Sequence, residues 1–288
     1  VTIFPTELTG CIKCGGCQLA CPVVAIEGVS RFSGPRSLVA DALRCGGRLE
    51  SLRDNAMMCT TCWRCEEVCP SRLPLPEAIL GIRSSIYSPS RMLEGHERMV
   101  RQIDLYGRSV EPGDVMRRSH IRESAELLFF PGCISELRMP AIFDSTVDVL
   151  VRTSADFGVP EGWVCCGAPL EKAGDRRRME EMVSRNLKVF RGFQEVVTSC
   201  PGCTTQLLQH YGIEPLHTIE YLTERVRLER LEFRDAGGLR VALHHPCHLS
   251  RTVGPHTIDQ SYRLLSAIPG LEVVELGDPS RCCGGGGG

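Results

Sequence analysis

The sequence has few of the features that would point to several common kinds of protein. No stretch of about 18 apolar residues occurs, so a membrane-spanning helix is not expected. Acidic and basic residues nearly cancel, with a formal net charge of −2, so nothing in the overall charge points to nucleic acid or an acidic membrane surface. Aromatic residues make up only 6%, and lysine occurs only at Lys13, Lys172 and Lys188; we read the arginine bias as genome composition, not chemistry. The opening stretch VTIFPTELTG has neither a basic leader nor an apolar core, so it does not read as a secretory signal.

Cysteine, in contrast, is abundant: seventeen in 288 residues. A small secreted scaffold uses cysteines as disulfides, but this chain is long enough for two or three ordinary cores. Their clustering as C-x-x-C and C-C argues for metal ligation in a reducing, cytoplasmic setting.

The first quarter holds two matching runs. CIKCGGCQLACP supplies Cys11, Cys14, Cys17 and Cys21; CTTCWRCEEVCP supplies Cys59, Cys62, Cys65 and Cys69. Both read C-x2-C-x2-C-x3-C-P, the two-cluster ferredoxin run in which the fourth cysteine ligates the other cluster. The expectation is one cubane [4Fe-4S] cluster on Cys11, Cys14, Cys17 and Cys69, and a second on Cys59, Cys62, Cys65 and Cys21. Four-thiolate zinc is the alternative, and two complete runs make it the weaker one. Between the runs, GPRSLVADALR has helical spacing, which predicts a helical module instead of a compact βαβ ferredoxin. Cys45 ends that helix and is expected to be a buried core thiol.

Further along, short apolar strands alternate with helices. ELLFFPGC ends at Cys133, GWVCCG carries Cys165 and Cys166, and EVVTSCPGC delivers Cys200 and Cys203. Such alternation argues for parallel strands with ligands at their carboxyl ends. The pattern then restarts: LRVALHHPC ends at Cys247, a helix and the strand LEVVELG follow, and RCCGGGGG supplies Cys282 and Cys283. The lone cysteine and the pair are separated by 31 residues in the first copy and 34 in the second, which points to an internal duplication. The part that would complete the second copy is expected beyond Gly288, because a glycine run is a poor end for a folded domain. Adjacent cysteines do not readily bond each other, but both can reach one inorganic cluster. Five converging cysteines exceed what a cubane or a zinc needs. The glycines after Cys283 could form an anion-binding nest. In HHPCH, His248 is the candidate proton donor, whereas His244 reads as an ordinary strand-end residue. Arg176, Arg177 and Arg178 open a helix, where cations are disfavoured; a solvated helix end is the plainer reading and an anionic substrate or partner the functional one.

Taken together, CIKCGGCQLACPV, MMCTTCWRCEEVCPSRLPLPEAIL, FFPGC…CCGAPLEKAG…SCPGC and HHPCHLSRTVG…CCGGGGG resemble heterodisulfide reductase. Their order matches the subunit of that family in which a ferredoxin-like part is fused to a cysteine-rich part. The resemblance implies an α+β multidomain protein: a helical ferredoxin-like domain over 1–85, a helical linker over 86–125, and a duplicated α/β cysteine-rich (CCG) domain. Its first unit would span 126–235 and its second, incomplete unit 236–288. It further implies that Cys133, Cys165, Cys166, Cys200 and Cys203 hold a noncubane [4Fe-4S] cluster, and that Cys247, Cys282 and Cys283 contribute to a second one. Zinc in a cysteine-rich site is the lesser alternative. The implied activity is reduction of the coenzyme M–coenzyme B disulfide, with His248 supplying a proton. Implied partners are a flavin subunit with hydrogenase or formate dehydrogenase, or a membrane cytochrome b. Such a chain would be cytoplasmic, or peripheral at the membrane through its partner. The rival reading is a non-catalytic iron–sulfur subunit of a quinone-linked glycolate oxidase or glycerol-3-phosphate dehydrogenase.

Overall fold

Leu38, Val39 and Ala42 fall on one face of a ten-residue stretch that proline opens and the Cys45 turn closes, and they form a helix, as the spacing predicts. The computed structural model describes residues 6–45, 47–113, 119–225 and 231–285. The chain divides into two compact units. One comprises 1–98 with Pro169–Met179 and Arg281–Gly288; the other comprises Met99–Ala168 and Glu180–Ser280.

The first unit is helical. Its helices are α1 (Gly16–Leu19), α2 (Pro22–Glu27), α3 (Pro35–Arg44), α4 (Arg53–Met58), α5 (Arg64–Glu67) and α6 (Leu75–Ser85). Phe32, Leu38, Ala56, Ala78, Ile79 and Ile82 form its solvent-free centre, against which Cys17, Cys21 and Cys65 are buried. Cys45 departs from the expectation of a buried thiol. It is half-buried at the end of α3, packs at the edge of this core, and donates to the Ala42 carbonyl at 3.2 Å. Ala42 lies in the last turn of α3, where carbonyls run short of intrahelical donors, and the thiol donates to it.

After α7 (Glu94–Tyr106) comes the α/β part. Its elements are β1 (Ala125–Phe130), α8 (Cys133–Leu137), α9 (Pro140–Arg152), β2 (Phe157–Gly158), α10 (Ala168–Ala173), α11 (Arg176–Phe190), β3 (Phe193–Thr198), α12 (Pro201–His210) and β4 (Leu216–His217). The strands pair in the order β2-β1-β3-β4, all parallel, with Leu128 opposite Gly158 on one side and Val196 on the other. Leu128, Phe129 and Phe130 in the central strand are wholly buried, as expected for a parallel strand covered on both faces. Phe130 meets Trp163 and Phe190 edge-on at 5.0 and 5.6 Å, and Phe190 stacks on Tyr211.

A helical turn, α13 (Thr218–Glu220), is followed by β5 (Arg240–Ala242), a π-helical turn (His248–Val253), α14 (His256–Ser266) and β6 (Glu272–Val274). β5 and β6 are parallel and form a separate two-stranded sheet, joined through α14. The last glycines of the expected nest, Gly286–Gly288, lie outside the described residues.

His217 caps α13: its ring accepts from the Ile219 N–H at 3.3 Å, and its own backbone N–H donates to Glu220 at 2.8 Å. Burial pulls its pKa down to about 4, against the partial support of a Ser199 backbone group. In the unfolded chain a histidine titrates near its ordinary value of about 6.5. Between those two values the unfolded state holds the proton and the native state does not, so stability falls as the pH drops through this window. Between about pH 7 and about pH 5 this one group is expected to remove about 2 kcal/mol of stability. Urea unfolding of His217→Asn, which retains a competent cap, should show a correspondingly flatter pH dependence.

Candidate iron-sulfur centres

The two C-x2-C-x2-C loops of the first unit adopt the same backbone. Lys13 and Gly15 in the first have φ of 60° and 79°; Thr61 and Trp63, at the matching positions of the second, have φ of 48° and 58°. Each loop therefore turns left-handed on either side of its middle cysteine and then enters a short helix, α1 or α5, whose second residue is the third cysteine. Left-handed residues set among right-handed ones turn successive N–H groups toward one concave side, which favours an anionic guest. Thr61 and Trp63 hold this conformation without being glycine, at a cost of order 1–3 kcal/mol each.

Each fourth cysteine lies near cysteines of the other run. Cys17 is pushed up by burial, pulled back by the Arg36 N–H, and pushed further by the thiolates of Cys11, Cys69 and Cys14. Cys65 is pushed up by burial and then by Cys59, Cys62, Cys21 and Cys17. Thus Cys69 of the second run lies near Cys17 of the first, and Cys21 of the first run lies near Cys62 and Cys65 of the second. Pro22 and Pro70 follow the fourth cysteines, and Pro22 opens α2. The two groups differ in exposure: Cys14 faces solvent, whereas its counterpart Cys62 is buried. Burial raises Cys59 to about 11, opposed by the charge of Arg83 and the Thr61 N–H, which donates to its sulfur at 3.4 Å.

In the second unit the five cysteines gather beyond the carboxyl ends of β1 and β3. β1 and β3 are neighbours although β2 comes between them in sequence, so the chain leaves the two strands in opposite directions and opens a crevice there. Cys133 starts α8 three residues after β1 ends, so the strand expected to run to Cys133 stops at Phe130. Cys200 caps α12, and Cys203 sits in the first turn of that helix, at the positive end of its dipole. Cys165 and Cys166 come from the loop before α10. The sulfurs form a chain of contacts, Cys133–Cys165–Cys166–Cys203–Cys200, with 3.5 Å between Cys166 and Cys203. All but Cys200 are buried. Hydrogen bonds from Cys165 and then Cys203 hold the Cys166 thiol low. The bond to Cys165, reinforced by burial, pushes Cys133 up, and the bond to Cys166 does the same for Cys203.

Gly132 lines this pocket at a φ of 74°, and a Cβ there would stand 2.9 Å from the Cys203 sulfur. The backbone thus comes as close to the sulfurs as it can. Thiolate donors, helix ends and bare backbone are the surroundings that an iron–sulfur cluster requires, so the residues fit such a group in all three places.

Cys247 follows β5 in the second unit, whereas Cys282 and Cys283 belong to the first, so these three are not gathered within one unit. Cys282 lies 3.6 Å from the Thr60 hydroxyl, beside the second cysteine loop. His248 is buried in the π-helical turn, and its carbonyl accepts from Thr205 at 3.0 Å. His244 is exposed, and His245 contacts the Tyr262 hydroxyl at 3.1 Å. Of the three arginines opening α11, Arg178 pairs with Asp175 at 2.8 Å, while Arg176 and Arg177 are exposed.

Several supporting residues carry no motif. Asn186, wholly buried, accepts from the Val164 N–H at 2.8 Å and donates to the Val164 carbonyl and the Tyr211 hydroxyl. Tyr211 passes the bond on to the Cys166 carbonyl at 3.0 Å. Arg108 and Glu136 form a buried pair at 3.0 Å, the guanidinium lies 3.5 Å over the Trp163 ring, and the Ser109 N–H points at the Cys133 sulfur. Arg83 lies behind Cys59. The sequence does carry a signal for Asn186 and Arg83: each interrupts an apolar helical stripe, Met179–Met182–Val183–Asn186–Phe190 in α11 and Ile79–Ile82–Arg83 in α6.

Two family models match the chain: a 4Fe-4S dicluster domain over residues 7–73, and a cysteine-rich domain over 127–208 and again over 241–288. The chain thus belongs among proteins that join a 4Fe-4S dicluster domain to cysteine-rich domains. Within that class it is similar, over nearly its whole length, to a heterodisulfide reductase subunit and its relatives. That subunit, from the dihydromethanophenazine:CoB–CoM heterodisulfide reductase of Methanosarcina mazei, is 26% identical, the match covering 98% of this chain and 79% of that protein. A fumarate reductase (CoM/CoB) subunit of Methanothermobacter marburgensis is 32% identical, covering 98% of this chain and 60% of that protein. A probable glycolate oxidase iron-sulfur subunit of Bacillus subtilis is 23% identical, covering 98% and 79%. The chain spans about three fifths of the length of several of the curated relatives it matches. Among the described residues no helix is long and apolar enough to cross a membrane.

Proposed function

We propose that this chain is the iron–sulfur subunit of a heterodisulfide reductase-type complex, taking electrons from a partner subunit and delivering them to a disulfide. The observation that carries the reading is the five-cysteine crevice at the ends of β1 and β3, separate in the chain from two complete four-cysteine groups. When bound, two cubanes and a further cluster would supply one-electron transfer and storage. Cys11, Cys14, Cys17 and Cys69 would hold the first cubane, and Cys59, Cys62, Cys65 and Cys21 the second. Cys133, Cys165, Cys166, Cys200 and Cys203 would hold the noncubane cluster. The exposure of Cys14 supports electron entry at the first group. Reduction of the disulfide consumes two electrons and two protons and gives two thiols; His248, next to Cys247, is the proposed source of one proton.

The test is anaerobic iron, sulfide and zinc analysis per chain, with EPR before and after addition of the coenzyme M–coenzyme B disulfide. About 12 irons and a new disulfide-dependent signal are expected. About 8 irons and no new signal would leave a two-cubane relay of the kind found in a quinone-linked dehydrogenase subunit, and zinc in the remainder would make the cysteine-rich part structural.

A further inference from the structure

Arg83, in the last turn of α6, is 1% exposed. Its Nε donates to the Ala56 carbonyl at 2.9 Å, one Nη to the Met57 and Cys59 carbonyls, and the other Nη to the Lys172 carbonyl at 2.9 Å. Ala56 and Met57 lie in the last turn of α4 and Cys59 caps it, so the guanidinium collects carbonyls that a helix terminus leaves without partners. Its planar fork serves that geometry in a way no lysine could. Neutral donors could satisfy carbonyls equally well, however, and burying a cation costs several kcal/mol unless a negative charge answers it. Cys59, as a ligand in the proposed cluster, would supply such a charge, and Arg83 already donates to the carbonyl of that same residue. The first cysteine group also has cations, Lys13 and Arg36 beside Cys11, but Lys13 is exposed and Arg36 half-exposed, so solvent and salt weaken them.

We infer that Arg83 is a positioning residue whose buried charge sets the redox level of the centre on Cys21, Cys59, Cys62 and Cys65, favouring its more negative, reduced state. This rests on the cluster assignment proposed above. Burial of Cys62 and Cys65 works against added negative charge, and Arg83 offsets it at the one ligand it adjoins.

The test is EPR-monitored redox titration of the whole iron-loaded chain, with Cys14→Ser and Cys62→Ser used to assign the two cubane signals. Arg83→Gln should lower the reduced-to-oxidised ratio of the Cys62 signal about tenfold at a given potential, or about 59 mV for a one-electron couple. Arg83→Lys, which keeps the charge but loses the fork, should shift it by less than half as much. A signal unmoved by Arg83→Gln, or moved as far by Arg83→Lys, overturns the inference: the residue would then be scaffolding. Should Arg83→Gln fail to load, the unsubstituted protein decides. Raising salt from about 0.05 to about 1 M should shift the Cys14 signal more than the Cys62 signal, because screening reaches Lys13 and Arg36 but not Arg83. Equal shifts overturn the inference. Iron below the two-cubane level in the unsubstituted chain overturns the cluster assignment and the inference with it.

Discussion

Cys166→Ala is expected to lower the iron content from about twelve to about eight per chain and to abolish any disulfide-dependent EPR signal, while both cubane signals persist. Cys166 occupies the middle of the sulfur chain, accepting from Cys165 and Cys203, and these bonds hold its thiol low. Metal ligation proceeds through the thiolate, and bonds from both neighbours favour that form at this position. Removing it also separates the Cys133–Cys165 pair from Cys203 and Cys200. Cys45→Ala is the matching control. That thiol is half-buried and bonded to a carbonyl of its own helix, so iron content should be unchanged. Full iron retention in Cys166→Ala would move the centre elsewhere and remove the proposed disulfide site.

Asn186→Ala is expected to destabilise the α/β part by about 3–5 kcal/mol and to cost the five-cysteine centre its iron before the cubanes lose theirs. The side chain satisfies both backbone groups of Val164, and its bond to Tyr211 continues to the Cys166 carbonyl. Truncation leaves these groups buried and without partners, each at about 1–3 kcal/mol, with partial relief where the loop can move to reach water. The loop so released is the one carrying the cysteine pair. Chemical denaturation of the iron-free chain would give the stability term, and iron analysis with EPR of the loaded chain would give the site-specific loss. A variant that unfolds earlier but keeps all its iron would show that the network stabilises the core without positioning Cys165 and Cys166.

The cysteine runs, their spacing and the strand–helix alternation are legible in the sequence because each is local. C-x2-C-x2-C dictates a loop tight enough to face one cluster, and Leu127–Phe130 is an apolar run that only a strand buried on both faces needs. Other features require the folded chain. Which strands adjoin is set by packing across the sheet, and it is the placement of β3 beside β1, not β2, that joins Cys200 and Cys203 to Cys133. The left-handed turns at Thr61 and Trp63 run against the preference of both residues and persist because the surrounding chain over-determines them. Cys45 reads as a core thiol, but the helix terminus offers it a carbonyl at the core's edge. Arg83 and Asn186 show the same limit from the other side. A polar residue in an apolar stripe signals burial, but its partners lie 21 to 89 residues away in the sequence. What such a side chain holds in place is settled only when distant carbonyls converge on it. The ligands and the order of the elements thus follow from the amino-acid string alone, through rules that act over a few residues. Which sulfurs share a site, and which buried charge and amide hold them, had to wait for the fold, because they depend on groups that only folding brings together.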